Sequence, residues 1–207
     1  MEVVKYFDEN YHHLGDETLE NIHKKGLWHE TFHCWMVSKR EEEWFVQLQI
    51  RSQSKQDFPN FLDVAVTGEL LATERMQDGV KKIEAQLGLD LFFKELQFIG
   101  IIQDNIMSET TLNREFAHVY LYVTDQSLMD VYQIQKQDCQ GMIEVPFSQL
   151  SDLLSEQKNV ILGSGFIYDE TGQRIEKQWP FSIDDMLPHQ IAYYEQVFAG
   201  IASKLNK

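Results

Sequence analysis

The sequence contains little cysteine and little positive charge, and it has no long apolar run. Its two cysteines, Cys34 and Cys139, have no CxxC spacing, so a disulfide framework is excluded and both are interpreted as buried small apolar groups. No segment approaches the roughly 20 apolar residues that a membrane-spanning helix requires. The first ten residues, MEVVKYFDEN, lack the basic start and apolar centre of a signal peptide. We therefore expect a reduced, soluble, cytoplasmic protein.

Basic residues are scarce relative to acids. Lys and Arg number 18 against 33 Asp and Glu, a formal net charge of −15. Binding to a nucleic acid duplex or to a membrane surface would need basic stripes facing phosphates, so neither partner is expected. With 43% hydrophobic residues, the chain is too apolar to be a disordered acidic protein. The acids must serve either metal chemistry or the solubility of a folded surface.

No linker, repeat or low-complexity tract divides the chain, and residues 1–207 are predicted to form a single domain. Strands outnumber helices but alternate with them, which favours an α/β (α+β) fold with helices packed on a mixed sheet. The predicted strands are 30–38 and 44–50 as a hairpin, 61–67, 94–104, 116–124, 141–145, and 158–168 with 174–179 as a second hairpin. The predicted helices are 76–87, ended by Gly88, then 147–155, and an amphipathic C-terminal helix over about 186–205 with Pro188 in its first turn.

The strongest chemical signal is the segment 67–89, TGELLATERMQDGVKKIEAQLGL. It reads as a strand, a glycine loop, a helix and a glycine stop. This segment resembles a degenerate Nudix box, the signature of the Nudix hydrolase superfamily, over residues 68–89. Gly68 matches the opening glycine and Glu74 the loop glutamate, while Gly88 and Leu89 match the end of the motif.

The resemblance extends over nearly the whole chain. The segments HKKGLWHETFHCWMV, FPNFLDVAVTGELLA, REFAHVYLY and PHQIAYYEQVF resemble a Nudix subgroup related to isopentenyl-diphosphate isomerases. The resemblance implies a Nudix-type α/β/α sandwich around a mixed sheet.

The departures from the box concern its metal ligands. In active members, three helix glutamates share one face and hold Mg²⁺ or Mn²⁺ together. Those positions here are Lys82, Ala85 and Gln86, and the motif arginine is Lys81. At about 4 Å and an effective dielectric constant near 20, the Lys82 charge would oppose a divalent ion by roughly 8 kcal/mol. The sequence therefore predicts no box metal site, and Mg²⁺ or Mn²⁺ is expected only if the protein is active.

Other residues remain as candidates for the site. Lys81 and Lys82 are candidates for neutralising a bound diphosphate in place of the metal, or for a solvated helix face. Arg51, at a strand end facing the box, is a candidate diphosphate contact or a generic surface arginine. Glu74 and Glu115 are the candidate catalytic bases or ligands, and Glu69 is a candidate substrate-binding residue.

His23, His29 and His33 form a second group. His29 and His33 have the same strand parity and could point to one side. In the isomerases to which the chain is similar, histidines in this region help to bind a metal. A hydrogen-bonded structural role for His29 and His33 is nevertheless favoured over metal ligation. Isomerase activity is not expected, because Thr67 and Glu69 replace the cysteine and histidine that flank the isomerase glycine.

Three functional hypotheses follow. The leading one is a Nudix-fold protein that recognises a small diphosphate ligand, such as a nucleoside diphosphate derivative, with hydrolysis weak or lost. The second is an active metal-dependent pyrophosphohydrolase with relocated carboxylates. The third is a non-catalytic interaction module that forms a homodimer through the C-terminal helix and its pair Tyr193–Tyr194.

Overall fold

The computed structural model describes residues 2–109, 111–135 and 138–205. Its strands are β1 Val3–Phe7, β2 His13–Thr18, β3 Trp28–Arg40, β4 Glu43–Arg51, β5 Leu62–Val64, β6 Val66–Glu69, β7 Gln97–Met107, β8 Leu112–Thr124, β9 Cys139–Pro146, β10 Ile161–Tyr168 and β11 Arg174–Phe181. Its α-helices are α1 Leu19–Lys25, α2 Val80–Leu87, α3 Phe147–Leu154 and α4 Ile191–Leu205.

Strand β3 is the centre of a large mixed sheet. It pairs in parallel with β8 along residues 28–38, and antiparallel with β1, β6 and β4 along successive segments of its other edge. The sheet continues from β4 through β9 and β10 to β11. The predicted mixed sheet and both predicted hairpins are confirmed.

Both faces of β3 are buried, as its apolar content on both faces predicts. On one face, Trp35 packs in a core with Tyr194 and Val197 of α4. On the other face, Phe32 packs in a core with Ile83 of α2. The helices therefore cover the sheet from two sides, and the ends of β3, β6 and β8 meet between them.

The predicted box helix is confirmed, with one difference in its first turn. Residues Met76–Gly79 form a 3₁₀ turn, and the α-helix begins at Val80. Gly88 ends the helix with φ +71°, the left-handed conformation that favours glycine.

The C-terminal helix begins later than predicted. It starts at Ile191 rather than near residue 186, so Pro188 lies before the helix and not in its first turn. The physical reason is tertiary: Leu187 donates its amide to the carbonyl of Leu62, and Gln190 donates its amide to the Asp104 carboxylate. These bonds hold residues 187–190 against the sheet in a non-helical path.

The aromatic pair of this helix is also placed differently from the prediction. Tyr193 and Tyr194 are buried in the core, so the prediction that this pair forms a dimer surface is wrong. The N-terminal elements β1, β2 and α1 were not predicted from the sequence. Across the described ranges, no helix combines the length and the apolar character needed to cross a bilayer.

Candidate functional site

A cavity of about 390 Å³ lies beside the matched box glycine. Thr67 and Gly68 of β6 and Gln86 of α2 form its wall on the box side. Strands β3 and β8, which pair with each other inside the sheet, contribute Thr31, His33 and Glu115, and residues 51–58 contribute the opposite rim. The cavity therefore occupies the place where three sheet strands and the box helix converge.

The lining of this cavity is strongly acidic. Among the described residues, its Arg and Lys side chains are Arg51 and Lys55, and each already contacts an acid, Asp63 at 3.1 Å and Asp138 at 2.9 Å respectively. A third cation in the lining, protonated His189, is likewise paired with acids. The lining carboxylates are Glu2, Asp57, Asp63, Glu69, Glu115 and Asp138. The acidic lining would thus repel an anionic ligand unless a cation accompanied that ligand.

Glu69 forms a cluster with two histidines at the edge of the cavity. Its carboxylate lies 2.8 Å from Nε2 of His29 and 3.7 Å from Nε2 of His23. One ligand atom from each of the three side chains can be chosen so that all lie within 4.8 Å of one another. Strand pairing causes this convergence, because Glu69 of β6 lies opposite Thr31 of β3, two residues from His29.

The second nitrogen of His29 fixes the orientation of its ring. His29 Nδ1 lies 3.2 Å from the carbonyl oxygen of Leu27, to which it donates. Its Nε2 is thereby directed at the Glu69 carboxylate, with which it forms a short ion pair when His29 is protonated. Backbone-anchored imidazoles of this kind are the usual form of metal-binding histidines.

Electrostatics in the cluster favour a cation between its members. Burial alone would lower the pKa of His29, but the Glu69 carboxylate raises it to about 9. Burial would likewise raise the pKa of Glu69, but His29 and His23 hold it well below its usual range. In the part of the chain that the structure describes, His29 Nε2, His23 Nε2 and Glu69 Oε2 are buried atoms without a well-aligned hydrogen bond, an arrangement that a bound cation in place of the His29 proton would satisfy.

Glu115 lies deeper in the cavity within a network of donors. Its Oε2 accepts from Thr31 Oγ1 at 3.1 Å and lies 3.0 Å from His33 Nε2. Its Oε1 accepts from the Asn113 side-chain amide. Glu115 is 5% exposed, so these donors replace the water that would otherwise solvate its carboxylate.

The box helix makes internal contacts at the positions where the Nudix resemblance implies metal ligands. Lys82 Nζ lies 3.2 Å from the Glu74 carboxylate, and Lys81 Nζ lies 2.6 Å from Asp78 on the exposed side of the helix. Gln86 donates to the carbonyl of Thr67 at 2.7 Å. Lys82, Ala85 and Gln86 do not fit a divalent ion, because they offer one ammonium, one methyl and one engaged amide.

Gly68 explains how the Lys82 stem fits. A Cβ atom at position 68 would lie 2.8 Å from Lys82 Cδ. The lysine stem therefore lies over the glycine backbone on the box side of the cavity.

Arg51 lines the cavity, but each nitrogen of its guanidinium already donates one hydrogen bond within the protein. Its Nη1 contacts Asp63 at 3.1 Å, while Nε and Nη2 donate to the carbonyls of Phe58 and Asp57. Arg51 thus supports the loop that forms the cavity rim. Of the residues predicted for the site, Glu69, Glu115 and Arg51 line the cavity, whereas Glu74, Lys81 and Lys82 lie outside its lining.

A buried charge network lies under the cavity, and sequence reasoning did not find it. His189 contacts Asp104 through Nδ1 at 2.5 Å and Asp63 through Nε2 at 3.3 Å. Burial alone would lower the pKa of His189, but these two acids raise it to about 9. Burial would raise the pKa of Asp63, but His189 and Arg51 lower it to about 2. A signal was present, because Asp63 is an acid within an otherwise apolar strand segment.

Comparison with known proteins places the chain in a family. The sequence is 30% identical over 200 residues to an uncharacterised Nudix hydrolase of Clostridium acetobutylicum, covering 97% of each chain. A crystal structure from Deinococcus radiodurans has a similar fold, with a TM-score of 0.53 and 16% identity over 75% of this chain and 88% of that one. The Nudix domain of Shewanella oneidensis NrtR, solved with ADP ribose, has a TM-score of 0.45 and 12% identity over 59% of this chain and 75% of that one.

No family model matches the sequence. The similarity to the clostridial protein extends over 97% of each chain and is sufficient to assign the family. The chain belongs to the Nudix hydrolase family. The predicted membership and the predicted Nudix-type fold are confirmed.

Proposed function

We propose that this protein is a divalent-metal-dependent hydrolase that cleaves a diphosphate linkage in a small molecule. In this proposal His23, His29 and Glu69 hold the metal in place of the box glutamates. The observation that carries the proposal is the convergence of these three side chains at the cavity edge, with ligand atoms within 4.8 Å and with buried atoms that form no well-aligned hydrogen bond among the described residues.

The donor set indicates which ions suit this cluster. Two imidazole nitrogens and one carboxylate favour Mn²⁺, Fe²⁺ or Zn²⁺ over Mg²⁺, which prefers oxygen ligands. The set differs from the all-oxygen site of a glutamate-bearing Nudix box. We therefore expect Mn²⁺ to support activity better than Mg²⁺.

Such an ion, when bound, polarises a phosphoryl oxygen and lowers the pKa of coordinated water. The protein's own groups supply the rest. Glu115 is the proposed base, because its hydrogen-bond donors hold its carboxylate inside the cavity. Arg51 holds the rim loop through two carbonyl groups and so shapes the entrance of the substrate.

The charge of the cavity supports metal dependence. Among the described residues, six lining carboxylates face Arg51, Lys55 and protonated His189, each of which is already paired with an acid. A diphosphate alone would be repelled by this lining, whereas a diphosphate with a divalent ion would not. Binding through Lys81 and Lys82 alone is disfavoured, because both are paired with acids outside the cavity lining.

A second candidate keeps ligand recognition but not efficient hydrolysis. It is supported by the Lys82–Glu74 pair, which occupies the box face where the family's metal would bind. In that case a nucleoside diphosphate derivative would bind the cavity and turn over slowly or not at all. Lys82→Met, which keeps the stem over Gly68 and removes the charge, would weaken binding only under this second candidate.

The experiment is an assay of diphosphate cleavage in a panel of nucleoside diphosphate derivatives with Mn²⁺, Mg²⁺ or no metal, in which an added phosphatase converts the phosphomonoester products to inorganic phosphate for detection. We expect metal-dependent turnover by the wild type and a loss of about 100-fold or more in kcat/KM for Glu69→Gln and His23→Ala. His12→Ala is the matched control, since His12 is an exposed histidine paired with Asp8 outside the cavity. Tight ligand binding without turnover would favour the second candidate instead.

A further inference from the structure

We infer that Tyr193 of helix α4 is a positioning residue for Glu115, acting through the tautomer of His33. The inference rests on the proposed role of Glu115 as base, but the hydrogen-bond wiring behind it can be tested without turnover. Tyr193 lies in the core beneath the cavity and does not itself line the cavity.

The wiring follows from which groups can donate. Trp35 Nε1–H donates to the Tyr193 hydroxyl oxygen at 3.2 Å, and an indole nitrogen has no acceptor role. The same hydroxyl lies 2.7 Å from His33 Nδ1. Because the oxygen already accepts from Trp35, its own proton is free to be donated to His33 Nδ1.

A His33 ring that accepts at Nδ1 carries its proton on Nε2. That nitrogen lies 3.0 Å from Glu115 Oε2 and 3.2 Å from Thr31 Oγ1, which itself donates to the same carboxylate oxygen. The order of donation is therefore Trp35 to Tyr193, Tyr193 to His33, and His33 to Glu115. Every donor in this chain points toward the carboxylate.

The chain of donors has a consequence for the cavity. If the His33 tautomer were reversed, a ring nitrogen lone pair would face the Glu115 lone pairs at 3.0 Å. The carboxylate would then lose this donor and turn away from the position in which it can accept a proton from water. Tyr193 in the C-terminal helix thereby determines whether the Glu115 carboxylate on β8 is held in the orientation that the proposed base requires.

Tyr194 offers a matched control. It is the adjacent residue in the same helix, it is also buried, and its hydroxyl donates to the Leu187 carbonyl at 2.7 Å. Tyr194→Phe therefore removes one buried hydroxyl and one hydrogen bond, whereas Tyr193→Phe removes one buried hydroxyl and two hydrogen bonds, one with Trp35 and one with His33. Only Tyr193→Phe removes the donor to His33.

The first measurement is the tautomer of His33, read from long-range proton–nitrogen NMR spectra of the metal-free protein, with His33→Gln used to assign its signals. We expect the Nε2–H form in the wild type and in Tyr194→Phe, and a clear gain of the Nδ1–H form in Tyr193→Phe. A wild type with the Nδ1–H form, or no change in Tyr193→Phe, would overturn the wiring.

The second measurement is turnover. Tyr193→Phe should lower kcat by about 10- to 100-fold with KM little changed, and Tyr194→Phe should change kcat less than about 3-fold. His33→Gln, whose amide can replace the Nε2 donor, should retain more activity than His33→Leu. If the wild type shows no turnover, the proposed function fails while the NMR result still decides the wiring. Equal losses in the two tyrosine variants would overturn the positioning role.

Discussion

At the scale of single residues, the box helix lacks the metal-binding glutamates, and Glu69 is their proposed replacement. The box helix has Lys82, Ala85 and Gln86 at the positions where active members of the Nudix superfamily have metal-binding glutamates. Glu69, adjacent to the matched glycine, instead contacts His29 and His23. The acidity of the chain thus contributes to the cavity through residues outside the box helix.

Lys82 itself should contribute little to stability. Its contact with Glu74 is partly solvated, with side-chain exposures of 17% and 21%, and such pairs are worth about 0–1 kcal/mol. We expect Lys82→Met to change the free energy of unfolding by less than about 1 kcal/mol, measured by urea denaturation. Lys81→Met, which breaks the exposed contact with Asp78, is the control and should change it by still less. A loss above about 3 kcal/mol in Lys82→Met would contradict this assignment.

His189 should make stability depend on pH. Its folded pKa of about 9 lies above the ordinary value of 6.5, so its stabilising contribution is complete below about pH 6.5 and is lost as the pH rises through about 9. Asp63, with a folded pKa of about 2 against 3.8, contributes above about pH 4 and loses this as the pH falls through about 2. Stability from this network is therefore greatest between about pH 4 and 6.5.

The measurement is urea denaturation at about pH 6 and about pH 9.5. The wild type should lose on the order of 1–3 kcal/mol from this network between those values. His189→Gln should be less stable at about pH 6 by roughly 2–4 kcal/mol and should lack that part of the pH dependence. An unchanged pH dependence in His189→Gln would refute the assignment.

At the scale of elements, the box helix depends on its glycine stop. Gly88 has φ +71°, and a Cβ atom there would lie 2.7 Å from Cβ of Gln133. We expect Gly88→Ala to destabilise the protein by roughly 1–3 kcal/mol, measured by thermal and urea unfolding. Gly100→Ala is the control, since no atom lies within 4 Å of a Cβ there, and it should be nearly neutral. Equal effects of the two changes would contradict the account of this stop.

Element prediction succeeded where local pattern and tertiary packing agree. The hairpin of β3 and β4 was evident from aromatic and β-branched residues, and Gly88 marked the end of α2. The start of α4 was misplaced because Asp104, distant in sequence, binds Gln190 and His189. A helical periodicity beginning at Leu187 contains no information about that contact.

The site was only partly visible in the sequence for the same reason. The box segment indicated Gly68 and Glu69, and strand parity grouped His29 with His33. Neither pattern indicates that β3 and β6 pair so that Glu69 meets His29. The sequence alone therefore favours a structural role for His29. The proposal that His29 binds a metal depends on the strand register, which brings it to Glu69.

At the scale of the whole molecule, the net charge of −15 bears on substrate entry. An anionic substrate approaches a negative protein and an acidic cavity, and salt screens that repulsion. We expect kcat/KM for a diphosphate substrate at saturating Mn²⁺ to rise about 2- to 5-fold between about 0.02 M and about 0.2 M ionic strength. Steady-state kinetics in sodium chloride measure this, with a neutral viscosity agent as control. A steep fall with salt would indicate a cationic entrance and would contradict this account.

The central claim concerns where the metal binds, and pulsed electron paramagnetic resonance of bound Mn²⁺ tests it most directly. Metal held by His23, His29 and Glu69 should give one tight Mn²⁺ ion per chain with nitrogen couplings from imidazole, and Glu69→Gln should abolish tight binding. His12→Ala should leave both the binding and the couplings unchanged. A tightly bound Mn²⁺ with an all-oxygen environment that persists in Glu69→Gln, or no tight Mn²⁺ in the wild type, would contradict the relocated metal site.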